Sequence, residues 1–111
     1  MSKFDEKLEK YMASYKEHIG GKLDEELLKK VTKGLGPSIY NRDAETVSAE
    51  KSEMERVVTN YLKKKLGLSG DNLLASVEAV IEKYGKSNRS KYRAVVYYLL
   101  CEHHKKQSVY N

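Results

Sequence analysis

Apolar side chains recur along this chain in steps of three and four residues, the spacing that places them on one face of a helix. Phe4, Leu8, Tyr11, Met12, Tyr15 and Ile19 mark a first helix near residues 3–19. Ser2 with Asp5 three residues on offers a capping arrangement, and Gly20-Gly21 closes the helix. A second helix near 24–33 begins at the capping residue Asp24, with Glu25 and Glu26 in its first turn. Its apolar face is Leu27, Leu28 and Val31, and Lys29, Lys30 and Lys33 lie toward its C-terminal end. Met54, Val57, Val58, Tyr61, Leu62 and Leu66 form the stripe of a third helix near 50–66. Ser48 or Ser52 starts it, Ser52 and Glu55 having capping-box spacing, and Gly67-Leu68 reads as a Schellman end. Leu73, Leu74, Val77, Val80, Ile81 and Tyr84 give a fourth near 72–84, capped by Asp71 and stopped by Gly85.

The fifth helix, near 88–104 with Ser87 or Asn88 as its cap, differs from the others. It enters polar and basic, then is apolar or aromatic at every position from 94 to 101. A helix apolar nearly all round is one surrounded by other elements, so this segment is the post on which the amphipathic helices pack. Between helices two and three, residues 34–42 hold two glycines and the only proline. Leu35, Ile39 and Tyr40 there are expected to tuck onto the core, and residues 43–47 to add one helical turn. The tail 105–111 is expected to fray, with Val109 and Tyr110 able to dock. Strand-like alternation persists nowhere. The expected fold is all-α, a single compact domain of about five helices with the apolar C-terminal helix packed centrally.

At 111 residues the chain is long enough for a self-sufficient core, and 40% apolar with 33% charged residues is ordinary for a globular protein. Charge changes the picture more. Residues 1–50 carry 9 Lys/Arg against 10 Asp/Glu, whereas residues 51–111 carry 12 against 6. The basic second half suits an anionic partner such as nucleic acid, or serves only as a solvated surface. Cys101 is alone and lies within the apolar run, where a thiol behaves as a small buried hydrophobe. A charged N-terminal stretch without the apolar run of a signal peptide, and no span of roughly 20 apolar residues, lead to the expectation of a soluble cytoplasmic protein without membrane contact.

Two blocks carry a family resemblance. The run Lys33-Gly34-Leu35-Gly36-Pro37-Ser38-Ile39-Tyr40-Asn41 with Asp43-Ala44 is the first. The second is Ser87-Asn88-Arg89 with Lys91-Tyr92-Arg93-Ala94-Val95 and Tyr97-Tyr98-Leu99-Leu100. With the helix end Lys64-Lys65-Leu66-Gly67, they resemble a small bacterial family, domain of unknown function 2853, over essentially the whole chain. The resemblance implies a bacterial, single-domain, cytosolic protein, and it brings no activity, cofactor or catalytic residue. On the resemblance alone, residues 36–41 are a candidate binding lip.

The residues themselves offer one candidate site. Arg89, Lys91 and Arg93 crowd the first turn of the fifth helix, where positive charge opposes the dipole by about 0.3–1 kcal/mol each. With Ser87, Asn88 and free backbone N–H groups they suit a phosphate, and with Lys63, Lys64 and Lys65 they suit sequence-neutral nucleic-acid contact. Alternatively, Arg89 and Arg93 pair with acidic residues of helices one or two and latch the post in place. Five of the nine tyrosines lie on buried stripes, and adjacent Tyr97 and Tyr98 diverge, so that one of them is expected partly exposed for an oligomer contact. His103 and His104 are adjacent and diverge by about 100° on a helix, which rules out chelation by the pair. No phosphate loop and no catalytic constellation is legible, so no metal, cofactor or enzymatic activity is expected. The expected role is binding, to a protein partner or as a homo-oligomer, with nucleic acid as the alternative.

Overall fold

The computed structural model describes residues 2–70 (the Asp43 side chain apart), 72–85, 88 and 91–110. The order of elements is α1 (Lys3–His18), α2 (Glu25–Leu35), a 3-10 turn (Gly36–Tyr40), α3 (Arg42–Glu45), α4 (Lys51–Val57), a π-helical turn (Val58–Lys63), α5 (Leu73–Tyr84), α6 (Arg93–His103) and a last 3-10 turn (Gln107–Tyr110). The fold is all-α. Its radius of gyration of 12.9 Å equals the roughly 13 Å that compact chains of this length show. Among the described residues no helix is long and apolar enough to cross a membrane.

The apolar run does what its composition dictates. Eight consecutive residues of α6, from Ala94 to Cys101, are all buried, and the helix packs against α1, α2, α3 and α5. Tyr97 and Tyr98 are both buried, at 8% and 0% exposure, so neither ring stands free for an oligomer contact. Surrounding helices cover both directions in which the two side chains point.

Local signals fixed several ends. Ser2 Oγ accepts from Asp5 N–H, and Asp24 Oδ1 accepts from Leu27 N–H at 3.1 Å. Gly20 and Gly21 sit at φ +75° and +79°, a backbone open to glycine, and Gly20 N–H closes on Tyr15 O. Other ends are set by packing. The helix expected from residue 50 does begin at Lys51, but Glu50 is its N-cap and Ser52 lies inside it, so the Ser52–Glu55 box is not formed. From Val58 to Lys63 the backbone widens to a π turn, with Leu66 N–H reaching Tyr61 O five residues back. The stripe did not show this, because steps of three, one and four suit either winding.

Two further expectations change. Tyr40 is 49% exposed while Ile39 is buried, so only part of the 36–40 turn tucks in. The fifth helix starts at Arg93 rather than near residue 88, because Tyr92 is extended and pairs with Thr46 in an isolated antiparallel bridge, Val47 N–H donating to Lys91 O at 2.7 Å. The expected caps Asp71 and Ser87 lie outside the described residues. Of the two expectations for the tail, docking of Tyr110 is the one seen over its described length. The tail turns at Lys105 and lays the Tyr110 ring against the core.

Candidate functional site

The basic end of α6 is largely internal. Arg93 Nη2 meets Glu53 Oε1 at 2.7 Å, Nε donates to Ala44 O at 2.7 Å, and Nη1 donates to the Tyr97 hydroxyl at 3.3 Å. Burial opposes the Arg93 charge most strongly of any one influence, but the hydrogen bonds and charges of Glu53 and Tyr97 together outweigh it, so the guanidinium is held more firmly charged than usual. Its acidic partner is on α4, not on helices one or two as the sequence suggested, because residues 42–57 fold over the start of α6. Lys91 is 5% exposed, and its ammonium donates to the Asn88 carbonyl. Burial pushes that ammonium below its ordinary pKa. Asn88 is half-buried, and Ser87 and Arg89 lie outside the described residues.

A second charged knot lies beside it. The Glu45 carboxylate, 9% exposed, accepts from Tyr11 Oη at 2.7 Å, Lys7 Nζ at 2.9 Å and Lys10 Nζ at 3.4 Å. Burial alone would raise its pKa. The Tyr11 and Lys7 hydrogen bonds and the Lys10 charge outweigh that and bring it below the usual carboxylate range. Sequence reasoning passed over Glu45, since nothing local distinguishes it from a solvated glutamate. Both knots join elements distant in the chain, and in both the charges are satisfied by the protein itself.

Lys63, Lys64 and Lys65 are exposed but do not share a face. Lys63 lines a shallow cleft with Glu55, Thr59 and Leu74, whereas Lys65 lines a separate one. That second cleft, about 250 Å³, is the candidate site. Val31, Gly34 and Leu35 of α2 form one wall, Asn60, Tyr61 and Lys65 the other, with Tyr97 and Tyr110 between them. Tyr61 and Tyr97 stack, centroids 3.9 Å apart and 16° from parallel. The Tyr61 and Tyr110 hydroxyls pair at 2.8 Å, and Lys65 Nζ stands 4.9 Å from the Tyr110 ring centre. Burial pushes the Tyr61 phenol far above its ordinary range and Tyr110 to about 12. Both therefore stay protonated near neutrality and act as hydrogen-bonding groups, not as bases.

The π turn positions this cleft. Its extra residue turns Tyr61 onto α6 while leaving Asn60 at the rim, and π turns recur at functional sites. The available signal was compositional: nine tyrosines against one phenylalanine mean that buried rings here carry hydroxyls that need partners.

One serine–histidine pair invites a catalytic reading and does not support it. Ser76 donates its only hydroxyl proton to Leu73 O at 2.7 Å, so His104 Nε2, 2.9 Å away, is the donor to Ser76 rather than its base. Burial, with the His103 and Lys106 charges, lowers the His104 pKa and favours that neutral donor. Burial likewise raises the Cys101 thiol, the opposite of an activated nucleophile.

The model of a family described as Protein of unknown function (DUF2853) matches residues 10–108. The chain belongs to this family. The match takes in Arg93, Glu53, Glu45 and most of the tyrosine cleft but stops short of Lys7 and Tyr110, and the family carries no assigned activity. No curated protein matches the chain.

Proposed function

We propose that this family member is a non-enzymatic binding protein of the bacterial cytoplasm, acting through contact with another protein or with a second copy of itself at the tyrosine cleft. The observation that carries the reading is the cleft's scale and make-up. At about 250 Å³ it is smaller than the roughly 300–1,000 Å³ of sites for free small ligands. It suits one inserted side chain, the usual unit of a protein-interaction hot spot. Stacked tyrosines match the chemistry enriched in such spots, and the lysine stands on the rim, where interfaces are polar.

The test is site-directed photo-crosslinking in cells that produce the protein. A benzophenone amino acid replaces exposed Asn60 at the cleft rim or, as a control, exposed Glu9 on α1. Discrete adducts from position 60 and not from position 9 support the reading. Equal adducts from both positions, or none from position 60, overturn it.

A further inference from the structure

Part of the cleft lining is a side chain supplied by the tail of this chain. Tyr110 reaches in from the 3-10 turn Gln107–Tyr110, sets its hydroxyl on Tyr61, and lies so near Gly34 that a Cβ there would stand 3.7 Å from the ring. The rest of that turn is out in solvent: Gln107, Ser108 and Val109 are exposed. One ring therefore anchors the segment.

The stem of the segment is a Schellman closure, with Lys106 N–H on Cys101 O at 3.0 Å and Lys105 N–H on Glu102 O at 3.1 Å. The position that such closures give to glycine holds Lys105, at φ 54°. A side chain there is crowded against its own carbonyl, so opening the stem relieves strain that closing it imposes. A segment held by a single ring on a strained stem exchanges readily. What the slot recognises is displayed by Tyr110 itself: a phenol ring with a hydroxyl able to pair with Tyr61.

We propose that the cleft receives the 107–110 segment of a second copy of this chain, so that the segment is a plug in the monomer and an arm in a dimer. This rests on reading the cleft as a recognition surface. Exchange reproduces the same ring contacts in trans, so no new surface has to be complementary. Against it stand the two stem hydrogen bonds, exchanged for water on opening, and the effective concentration of the tethered segment, on the order of millimolar for a short linker. Relief at Lys105 brings the exchange to lower concentration, roughly fivefold per stem.

The experiment uses the full chain. A labelled peptide of residues 103–110 is titrated into Tyr110→Ala, whose slot is empty, and into the wild type. Binding to Tyr110→Ala at least about tenfold tighter than to the plugged wild type is expected, as is loss of binding when the peptide's last tyrosine is alanine. A folded Tyr110→Ala chain that ignores the peptide overturns the proposal. Should that variant not fold, light scattering on the wild type decides: a dimer fraction is expected to grow up to about 1 mM and to fall in Lys105→Gly, whose stem closes without strain. A wild type still monomeric at that concentration overturns the exchange, whether or not the peptide binds. Cross-links from position 60 to other proteins, without a homodimer, overturn the exchange yet leave the binding reading standing.

Discussion

The two ends of the stretch from Lys91 to Tyr97 meet tyrosines and cations of similar kind and treat them differently. At the start of the helix, Arg93 is fixed by Glu53 and a backbone carbonyl of α3, Lys91 is buried on the Asn88 carbonyl, and Tyr92 is held in a bridge with Thr46. One turn further on, Tyr97 stacks on Tyr61 at the floor of a cleft, covered by a ring from a strained tail and a lysine at the rim. The contrast teaches how to separate a structural cation from a recognition surface. Charge alone pointed to the first end; the state of satisfaction of the groups points to the second. The Arg93 guanidinium, with partners on three elements of the same chain, is committed to the fold, whereas a cleft closed by one exchangeable side chain can open to a ligand.

The largest way to break this comparison lies in the helix that both ends share. Val96→Asp, at a position with no exposure, is expected to abolish the folded state, because an unpaired buried carboxylate costs several kcal/mol. A cooperative melt for that variant would remove the central-post description. Next in size is Arg93→Met. It leaves Glu53 with only Arg56, 3.6 Å away and mostly exposed, and should destabilise by about 2–3 kcal/mol, below the roughly 3–5 of a fully buried pair because that contact remains and both side chains of the lost pair keep some contact with water. A urea midpoint unchanged from wild type would show that the latch is ornamental.

Acid comes third. Glu45 has a folded pKa below its unfolded one, so the stability it contributes is complete above about pH 4.3 and is lost as pH falls through the folded value. Urea midpoints should therefore drop between pH 5 and pH 2.5, and Glu45→Gln, weaker at neutral pH, should show a shallower drop. Equal slopes would mean that other carboxylates govern the acid limb. The smallest effect is expected for the triple change Lys63→Gln, Lys64→Gln and Lys65→Gln. These exposed side chains should cost no more than about 0.5 kcal/mol, chiefly the Lys65–Tyr110 contact. A loss above about 1 kcal/mol would mean that the lysines, too, are structural.

Periodicity was sufficient for the helices and for the burial of residues 94–101, because a stripe, or the lack of a polar face, is a property of the residues themselves. Asp24, Ser2 and the Gly20-Gly21 stop were legible for the same reason, since a cap acts on its own backbone within a few residues. The sequence also showed that the basic first turn of the last helix needed an explanation, and it raised the latch beside the phosphate grip. Which acid closes that latch was settled only by the tertiary fold, which carries Glu53 across from a segment 40 residues away. The π turn, the pairing of Thr46 with Tyr92, the buried Glu45 and the meeting of Tyr61, Tyr97 and Tyr110 belong to the same class. Each depends on which surfaces touch once the helices have packed, and no local propensity encodes a contact between residues 34 to 49 positions apart.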